Sequence, residues 1–430
     1  EAAEITDRAR RSGTGYLAKC GGTYSSEWFW SKILHCKRTS PKAFRAAFAW
    51  VEQSDFVPAF VTGNNRPESM PRCICAAGHK AMYHEAWGGL PSEALLASID
   101  PDLVAIRRRF AAPALPADRK AGGLVPELAK KVGLPAGTPV AVGTIDAHAG
   151  AVGAGIKPGT LVKIIGTSTC DMMVVPMDQE LADVPGLCGI VPGSIVPGMY
   201  GLEAGQSAVG DIFNWFVGRL TPAQYTSQGD PHANLTRAAE QLRPGESGLL
   251  ALDWNNGNRT VLVDPLLSGL LVGQTLHTTA PEIYRALIEA TAFGTRVIIE
   301  AFEDNGVKVD EIVACGGLPD KNRLLMQIYS DVTGRDIKVA AAKQTGGLGS
   351  AMFGAVAAGR AAGGYDTIVE AAQRMAHLKD VVYRPDKEHT EVYNRIYAEY
   401  LQLHDYFGLG ANDVMKRLKR LRQEVLAGTA

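Results

Sequence analysis

The sequence predicts an α/β fold, and three stretches carry that prediction. The first is Thr138 to Gly150. Val140 to Val142 read there as a strand bounded upstream by Pro135, Gly137 and Pro139, and small residues then run to Gly155, as a tightly packed helix requires. The second is Gly159 to Val175, where two apolar, β-rich runs flank Gly166-Thr167-Ser168-Thr169 and read as a β-hairpin. The third is Ile312 to Cys315, which runs into Gly316-Gly317 and then a helix. From around residue 135 to around residue 360, strands alternate with helices, the pattern of an α/β chain.

Before residue 135 the chain reads as mostly helical. Ser25-Ser26-Glu27 is expected to cap a helix that carries Trp28, Phe29, Trp30, Ile33 and Leu34. Ser40-Pro41 opens another, with serine as N-cap and proline at the first helical position. Ser54-Asp55 begins the next, which Gly63 ends. Cys73 to Lys80 is a run of mostly small, uncharged residues that ends in a lysine.

Beyond the hairpin, a strand ends in Tyr200 to Gly205, and a helix is expected from around Ser207 to Val217. Leu249 to Trp254 reads as a strand that leads into Asn255-Asn256-Gly257-Asn258-Arg259. A long helix over 281–304 starts with Pro281 and keeps Ile283, Leu287, Ala290 and Phe293 on one face. Thr345 to Ala351 opens a helix of small residues suited to close packing. Residues 388 to 426 read as helical, with Tyr393, Ile396, Tyr397 and Tyr400 on one face. The basic cluster from Lys416 to Arg422 is read as the solvated face of an amphipathic surface helix whose apolar positions are Val414, Leu418, Leu421 and Val425.

Composition bounds the function. Apolar residues make up 46% of the 430 and charged residues 21%, which describes a globular protein with ample core and room for two or three domains. A net charge of -1 leaves no basic field, so no nucleic-acid partner is implied. No run of about eighteen apolar residues occurs, so no membrane span is read, and no signal peptide is visible. The seven cysteines form no CxxC pair and fit neither a zinc site nor a disulfide framework. Reduced thiols of a cytoplasmic protein are the expectation.

Three ionisable residues stand out by position. Asp146 falls at a strand-to-helix turn, and ligands of open α/β sheets bind at the carboxyl ends of strands. It either faces a cleft or caps the helix, and the local sequence leaves both open. Glu203 is a second acid at a strand end, open to the same two readings. Lys80 either reaches into a cleft or snorkels to the surface from an apolar run. The turn at Gly166-Thr167-Ser168-Thr169 has the small and hydroxyl residues that can hold a phosphate. Gly316-Gly317 lets a ligand approach the backbone, although it is not a GxGxxG element.

Taken together, these pieces resemble the FGGY carbohydrate kinases of the actin-like ATPase superfamily. The residues that carry the resemblance are Gly143-Thr-Ile-Asp146-Ala-His-Ala-Gly150, Gly166-Thr-Ser-Thr-Cys170, Gly201-Leu-Glu203-Ala-Gly-Gln206, Trp254 to Arg259, Gly269 to Gly273 with Thr278 to Ala286, and Gly316-Gly317 with Asn322. Ser25 to Trp28 and Ala76 to Lys80 match upstream. The motifs occur in family order over nearly the whole chain, and they are most like those of the branch that acts on L-ribulose.

The resemblance implies an α/β, actin-like, ribonuclease-H-like two-domain sugar kinase fold that binds ATP and a sugar in a cleft between its domains. Its first domain is expected to be incomplete, because the family's N-terminal Asp-x-Gly-Thr phosphate loop does not occur in this chain, which starts at Glu1 without a methionine. The implied division is 1–145 for the rest of the N-terminal, substrate-side domain, 146–365 for the C-terminal, nucleotide-side domain, and 366–430 for a helical extension.

The implied reaction is ATP- and Mg²⁺-dependent phosphorylation of L-ribulose to L-ribulose 5-phosphate, in L-arabinose catabolism, by a cytoplasmic enzyme that forms a homodimer. Asp146 matches the catalytic base. Lys80 and Glu203, with Asp146, match residues that hold the sugar. Gly166 and Thr167 match the turn that contacts the ATP phosphates. Gly210, Asn214, Gly317, Lys321 and Asn322 match the adenosine side. No metal ligand is assigned within the chain. Two alternatives stand beside this one: a kinase for another ketopentose or polyol, and a catalytically dead, sugar-binding regulatory protein.

Overall fold

A computed structural model describes residues 1–110 and 112–428. Its contacts group the chain into two compact units. The first comprises Glu1–Pro158, Met172–Glu203 and Gln344–His377, and the second Gly159–Asp171, Ala204–Lys343 and Leu378–Ala430. Neither is continuous in sequence. The stretch 146–365, read from the sequence as one domain, contributes residues to both.

The first unit starts as a layer of short helices around an aromatic core of Tyr24, Phe29, Trp30, Leu34, Leu96 and Leu103. The helix expected after Ser25 is Phe29–Thr39, and its N-cap position is Trp28. The Ser25 hydroxyl accepts instead from the Glu27 amide, so it closes a local turn. The indole of Trp30 donates to the Ala81 carbonyl at 3.0 Å. The Tyr24 hydroxyl donates to the Lys80 carbonyl. These two bonds satisfy carbonyls at the end of the Ile74–Ala81 helix, where no intrahelical partner remains.

Short strand pairs complete the first unit. Arg72–Cys73 runs parallel to Ala114–Leu115, and Lys120–Gly123 pairs antiparallel with Pro139–Ala141. Gly189–Pro192 pairs antiparallel with Met199–Ala204 and sets Gly189 opposite Glu203. The Asp146–Gly153 helix packs on the Thr345–Ala358 helix. Glycines permit the contact, since a Cβ at Gly349 would lie 1.8 Å from the Ala149 carbonyl oxygen and one at Gly153 2.0 Å from that of Thr345.

The second unit is built on parallel strands. Glu311–Cys315 lies between Thr160–Ile165 and Ile337–Ala340, with Ile312 in register with Leu161 on one side and Ile337 on the other. Leu378–Tyr383 adds an antiparallel strand beside Ile337–Ala340. The apolar run of buried strands is the pattern expected where helices cover a sheet. The long helix is Ala280–Asp304, entered by a capping contact in which Glu282 accepts from the Thr279 amide at 2.6 Å. Arg285 on this helix bonds Glu289 at 2.8 Å and the Tyr393 hydroxyl at 2.9 Å, which fastens the C-terminal helix to it.

Three expectations change in the second unit. The helix after Glu203 begins at Gly210, because the amides of Val209 and Asp211 bond the Thr167 carbonyl and that of Gly210 bonds the Gly166 carbonyl. The terminal helical run breaks into Lys387–Gly408 and Val414–Ala427, with Gly410 between them at φ +88°. The apolar stripe of the last helix is exposed at Leu418, Leu421 and Val425, and only Met415 is buried. Its basic residues do part of the anchoring: Lys416 pairs with Asp264, and Lys419 donates to the carbonyls of Pro265 and Leu267. No helix among the described residues is long and apolar enough to cross a membrane.

Candidate active site

Asp146 is the first residue of its helix, and Ile145 is the N-cap. Its carboxylate therefore is not the side-chain cap that the sequence allowed. One oxygen accepts from the Ala147 amide at 2.8 Å. The side chain is exposed, at a helix N-terminus where a negative charge is favoured.

Asp146 and Lys80 line one cavity of about 670 Å³ within the first unit. Ala141 to Ile145 form one wall, and Glu52, Gln53 and Ser54 form another. Gly143 allows these walls to meet, since a Cβ there would lie 1.9 Å from the Ser54 carbonyl oxygen. Lys80 is half-buried near the end of the Ile74–Ala81 helix, so it reaches the cavity and does not snorkel to an outer face. Nothing in the sequence marks Glu52 to Ser54 as cavity residues, because they reach the site through a backbone approach.

A buried ion pair fixes the second wall. Asp55 accepts from the Cys73 amide at 2.7 Å and pairs with Arg72 at 3.4 Å, with both side chains almost wholly buried. Burial pushes the Asp55 carboxyl up to about 6, against the Cys73 amide and the Arg72 guanidinium, which pull it down.

Glu203 does not line that cavity. It sits in a cluster with His79 and His148, whose rings meet edge to face at 4.7 Å. His148 Nε2 lies 3.0 Å from Glu203 Oε2, and His79 Nδ1 lies 3.6 Å from the same oxygen. Burial alone would raise the Glu203 carboxyl. The hydrogen bond from His148 leads the contributions that outweigh it, and the group is held at about 2. Burial, then His148, press His79 down to about 3, so it is neutral near pH 7. Both histidines lie inside the matching motifs, yet only the fold shows that they meet.

His79, His148 and Glu203 offer three donor atoms within 4.8 Å of one another. These atoms do not suit a metal ion. The His148 and Glu203 atoms already engage each other, and a Cβ at Gly189 would lie 2.0 Å from His79 Nδ1, so backbone fills the space beside that nitrogen.

The second unit holds a cavity of about 520 Å³. Gly166, Thr167, Gly210, Asn214, Gly317, Lys321 and Asn322 all line it. Phe213, Tyr284 and Leu318 supply apolar surface, and Asp230, Arg237 and Glu240 supply charge that the sequence did not single out. Of the four amides in the Gly166–Thr169 turn, Gly166 donates to Ser168 and Thr169 to Gln206. Thr167 and Ser168 are left as the amides that the turn can offer. Gly210 packs directly on this turn, since its Cβ would lie 2.5 Å from the Gly166 carbonyl oxygen. Asn322 has a second task, because its side-chain oxygen caps the Arg323–Thr333 helix at the Leu325 amide.

Comparison with known proteins bears on the family of the chain. The profile of the FGGY family of carbohydrate kinases, C-terminal domain, matches residues 161–358. A protein named ribulokinase from Shouchella clausii is 48% identical, over 100% of this chain and 76% of its own length. One of the same name from Halalkalibacterium halodurans is 49% identical, over 97% of this chain and 74% of its own length. The solved structure of xylulose kinase from Rhodospirillum rubrum superposes with a TM-score of 0.76 at 24% identity, covering 94% of this chain and 77% of its own, and so shares the fold. With identity at this level over its whole length, the chain belongs to the FGGY family of carbohydrate kinases.

Proposed function

We propose that this protein transfers the terminal phosphoryl group of ATP to O5 of L-ribulose, giving L-ribulose 5-phosphate and ADP, in L-arabinose catabolism. The observation that carries the reading is the placement of Asp146, whose carboxylate shares a cavity with Lys80 and spends a single hydrogen bond on its own helix. The similarity to proteins named ribulokinase supports the choice of sugar.

In this reading Asp146 accepts the O5 proton as the oxygen attacks phosphorus. The new O5–phosphorus bond forms while the bond from phosphorus to the bridging oxygen breaks, and that electron pair leaves with ADP. Lys80 and Glu203 hold the sugar's hydroxyls and carbonyl. Gly166 and Thr167 hold the phosphates, and Gly210, Asn214, Gly317, Lys321 and Asn322 hold the adenosine. Phosphoryl transfer of this kind uses Mg²⁺ on the nucleotide phosphates to neutralise charge. Mg²⁺ prefers oxygen ligands, and the His79–His148–Glu203 group offers two nitrogens, so it does not fit that ion. A cytoplasmic setting is part of the proposal, supported by seven thiols that form no disulfide. So is a homodimer.

The test is ADP release with L-ribulose, D-ribulose, ribitol, D-xylulose and glycerol, with Asp146→Asn as control. The expected result is strongest turnover with L-ribulose and a loss of about 10²–10⁴ in rate in the Asn variant. Equal ADP release from the wild type and the Asn variant on every sugar would overturn it.

A further inference from the structure

Glu203 is held by a chain of side chains that the family motifs do not connect. Cys75 Sγ lies 2.8 Å from His148 Nδ1, and His148 Nε2 lies 3.0 Å from Glu203 Oε2. Cys75 and His148 are fully buried and Glu203 is 20% exposed. All belong to the first unit. Cysteine, histidine and glutamate in a row have the composition of a thiol-nucleophile site, but the protons run the wrong way for one. Burial pushes the Cys75 thiol well above its ordinary range, so it keeps its proton and donates it. Glu203 Oε2 is a carboxylate oxygen and can only accept, so His148 carries a proton on Nε2, and Nδ1 of the neutral ring then accepts from the Cys75 thiol. The Ser194 carbonyl, 3.2 Å from Nδ1, can only accept and favours a proton there, but the shorter thiol contact at Nδ1 and the carboxylate at Nε2 favour the other tautomer.

His79 is set by a different chain. The Ser194 hydroxyl donates to the Val191 carbonyl at 3.1 Å, so it can only accept from His79 Nε2, 3.0 Å away. Neutral His79 therefore presents a bare Nδ1 towards Glu203, and that nitrogen has no hydrogen-bond partner. It cannot help to hold the carboxylate. The orienting bond to Glu203 thus comes from His148.

We propose that His148 is a positioning residue of the phosphoryl-transfer reaction: it holds Glu203 as an oriented carboxylate for the sugar, and the Cys75 thiol fixes the tautomer that lets it do so. This rests on the assignment of Glu203 to the sugar. The groups that face Glu203 are His148 from the Asp146–Gly153 helix and His79 and Lys80 from the Ile74–Ala81 helix. Of these, His148 makes the hydrogen bond. Without it, burial acts on Glu203 with less opposition, and the carboxylate takes up a proton at a higher pH.

The experiment compares His148→Leu, His148→Gln, Cys75→Ala, Cys75→Ser and Glu203→Gln in the full chain. It reads KM for L-ribulose, KM for ATP, and kcat/KM for the sugar between pH 4 and pH 8. His148→Leu is expected to raise the sugar KM by about tenfold to a hundredfold, the range for a hydrogen bond to a charged group, with the ATP KM unchanged. Its kcat/KM should fall on the acid side, where the wild type is flat with respect to Glu203. His148→Gln, which keeps an amide donor, should restore most of the affinity. Cys75→Ala should shift the sugar KM in the same direction, and Cys75→Ser should not.

A folded His148→Leu with wild-type sugar KM and pH profile would overturn the inference, as would equal losses for sugar and ATP. If His148→Leu fails to fold, the Cys75 pair decides, and identical sugar KM and pH profiles for Ala and Ser would overturn it. If Glu203→Gln leaves the sugar KM unchanged, the assignment of Glu203 itself falls. A raised KM in Glu203→Gln with none in His148→Leu removes the positioning role alone.

Discussion

Lys163 Nζ stands 2.9 and 3.1 Å from the two carboxylate oxygens of Asp171, with both side chains buried. The pair crosses the hairpin just behind the Gly166–Thr169 turn, and Gln206 Oε1 at 3.0 Å completes the ammonium's shell. A buried pair of this kind adds little net stability, but leaving one partner alone is costly. The rigidity of the turn is thus tied to an ion pair that is not part of the cavity lining.

Lys163→Met should therefore destabilise the protein by about 3–5 kcal/mol, because Asp171 is left buried and unpaired. The double variant Lys163→Met/Asp171→Leu should recover most of that loss. Chemical denaturation of the two variants checks this, and equal losses in both would refute it. The single variant should also raise the KM for ATP, because the turn loses its brace.

The helix pair behind Asp146 gives a second expectation. Gly349→Ala drives a methyl group into the Ala149 backbone, so it should cost about 1–3 kcal/mol or more and lower kcat by displacing the Asp146–Gly153 helix. Gly354→Ala, on the same helix, meets nothing within 4 Å. It should be neutral or slightly stabilising, since alanine is the better helix former. Thermal melts and sugar-saturated rates of the two variants separate the outcomes.

Asp55 predicts a pH dependence. Its folded-state value of about 6 lies above the ordinary 3.8, so between these values the native state binds a proton that the unfolded chain has released. Its contribution to stability is full below pH 3.8, falls as pH rises through 6, and is level above that. Asp55→Asn cannot titrate. Relative to the wild type it should gain up to about 3 kcal/mol between pH 4 and pH 7, read from denaturation curves at each pH. A wild-type advantage over Asp55→Asn that grows with rising pH would contradict the buried-carboxyl account.

Two glycines of the second cavity should behave differently. Gly210→Ala would press on the Gly166 carbonyl, whereas a Cβ at Gly317 meets nothing within 4 Å. Only Gly210→Ala should lower the melting temperature. Both should raise the KM for ATP if the nucleotide occupies this cavity, and neither should change the sugar KM. An unchanged ATP KM in both would place the nucleotide elsewhere.

Local pattern made some of this legible. The hairpin is plain in the sequence because two apolar runs flank a turn of small residues, and the structure places its strands at Thr160–Ile165 and Thr169–Pro176. The helix at Gly210 was misjudged because its first amides are spent on carbonyls of the Gly166–Thr167 turn, some forty residues upstream. Seven residues were expected at a nucleotide site, Gly166, Thr167 and Gly317 from turn chemistry as well as from motif resemblance, and all seven are among those that line the second cavity. The cluster around Glu203 was not legible: Cys75, His79 and His148 come from two separate helices, and each alone reads as a buried core residue. Their meaning lies in hydrogen-bond direction, which periodicity does not encode.

The interleaving of the two units shapes how the chain must be made. The Asp146–Gly153 helix carries a face of small residues whose partner, Thr345–Ala358, lies nearly two hundred positions downstream. At about 5–20 residues per second of synthesis, that face waits roughly 10–40 seconds on the ribosome before its partner exists. During this interval the first unit cannot close, while most of the second is being translated. The nascent protein thus passes through a stage with exposed glycine- and alanine-lined backbone, and its yield in the cell should depend on holdase chaperones more than its finished size suggests.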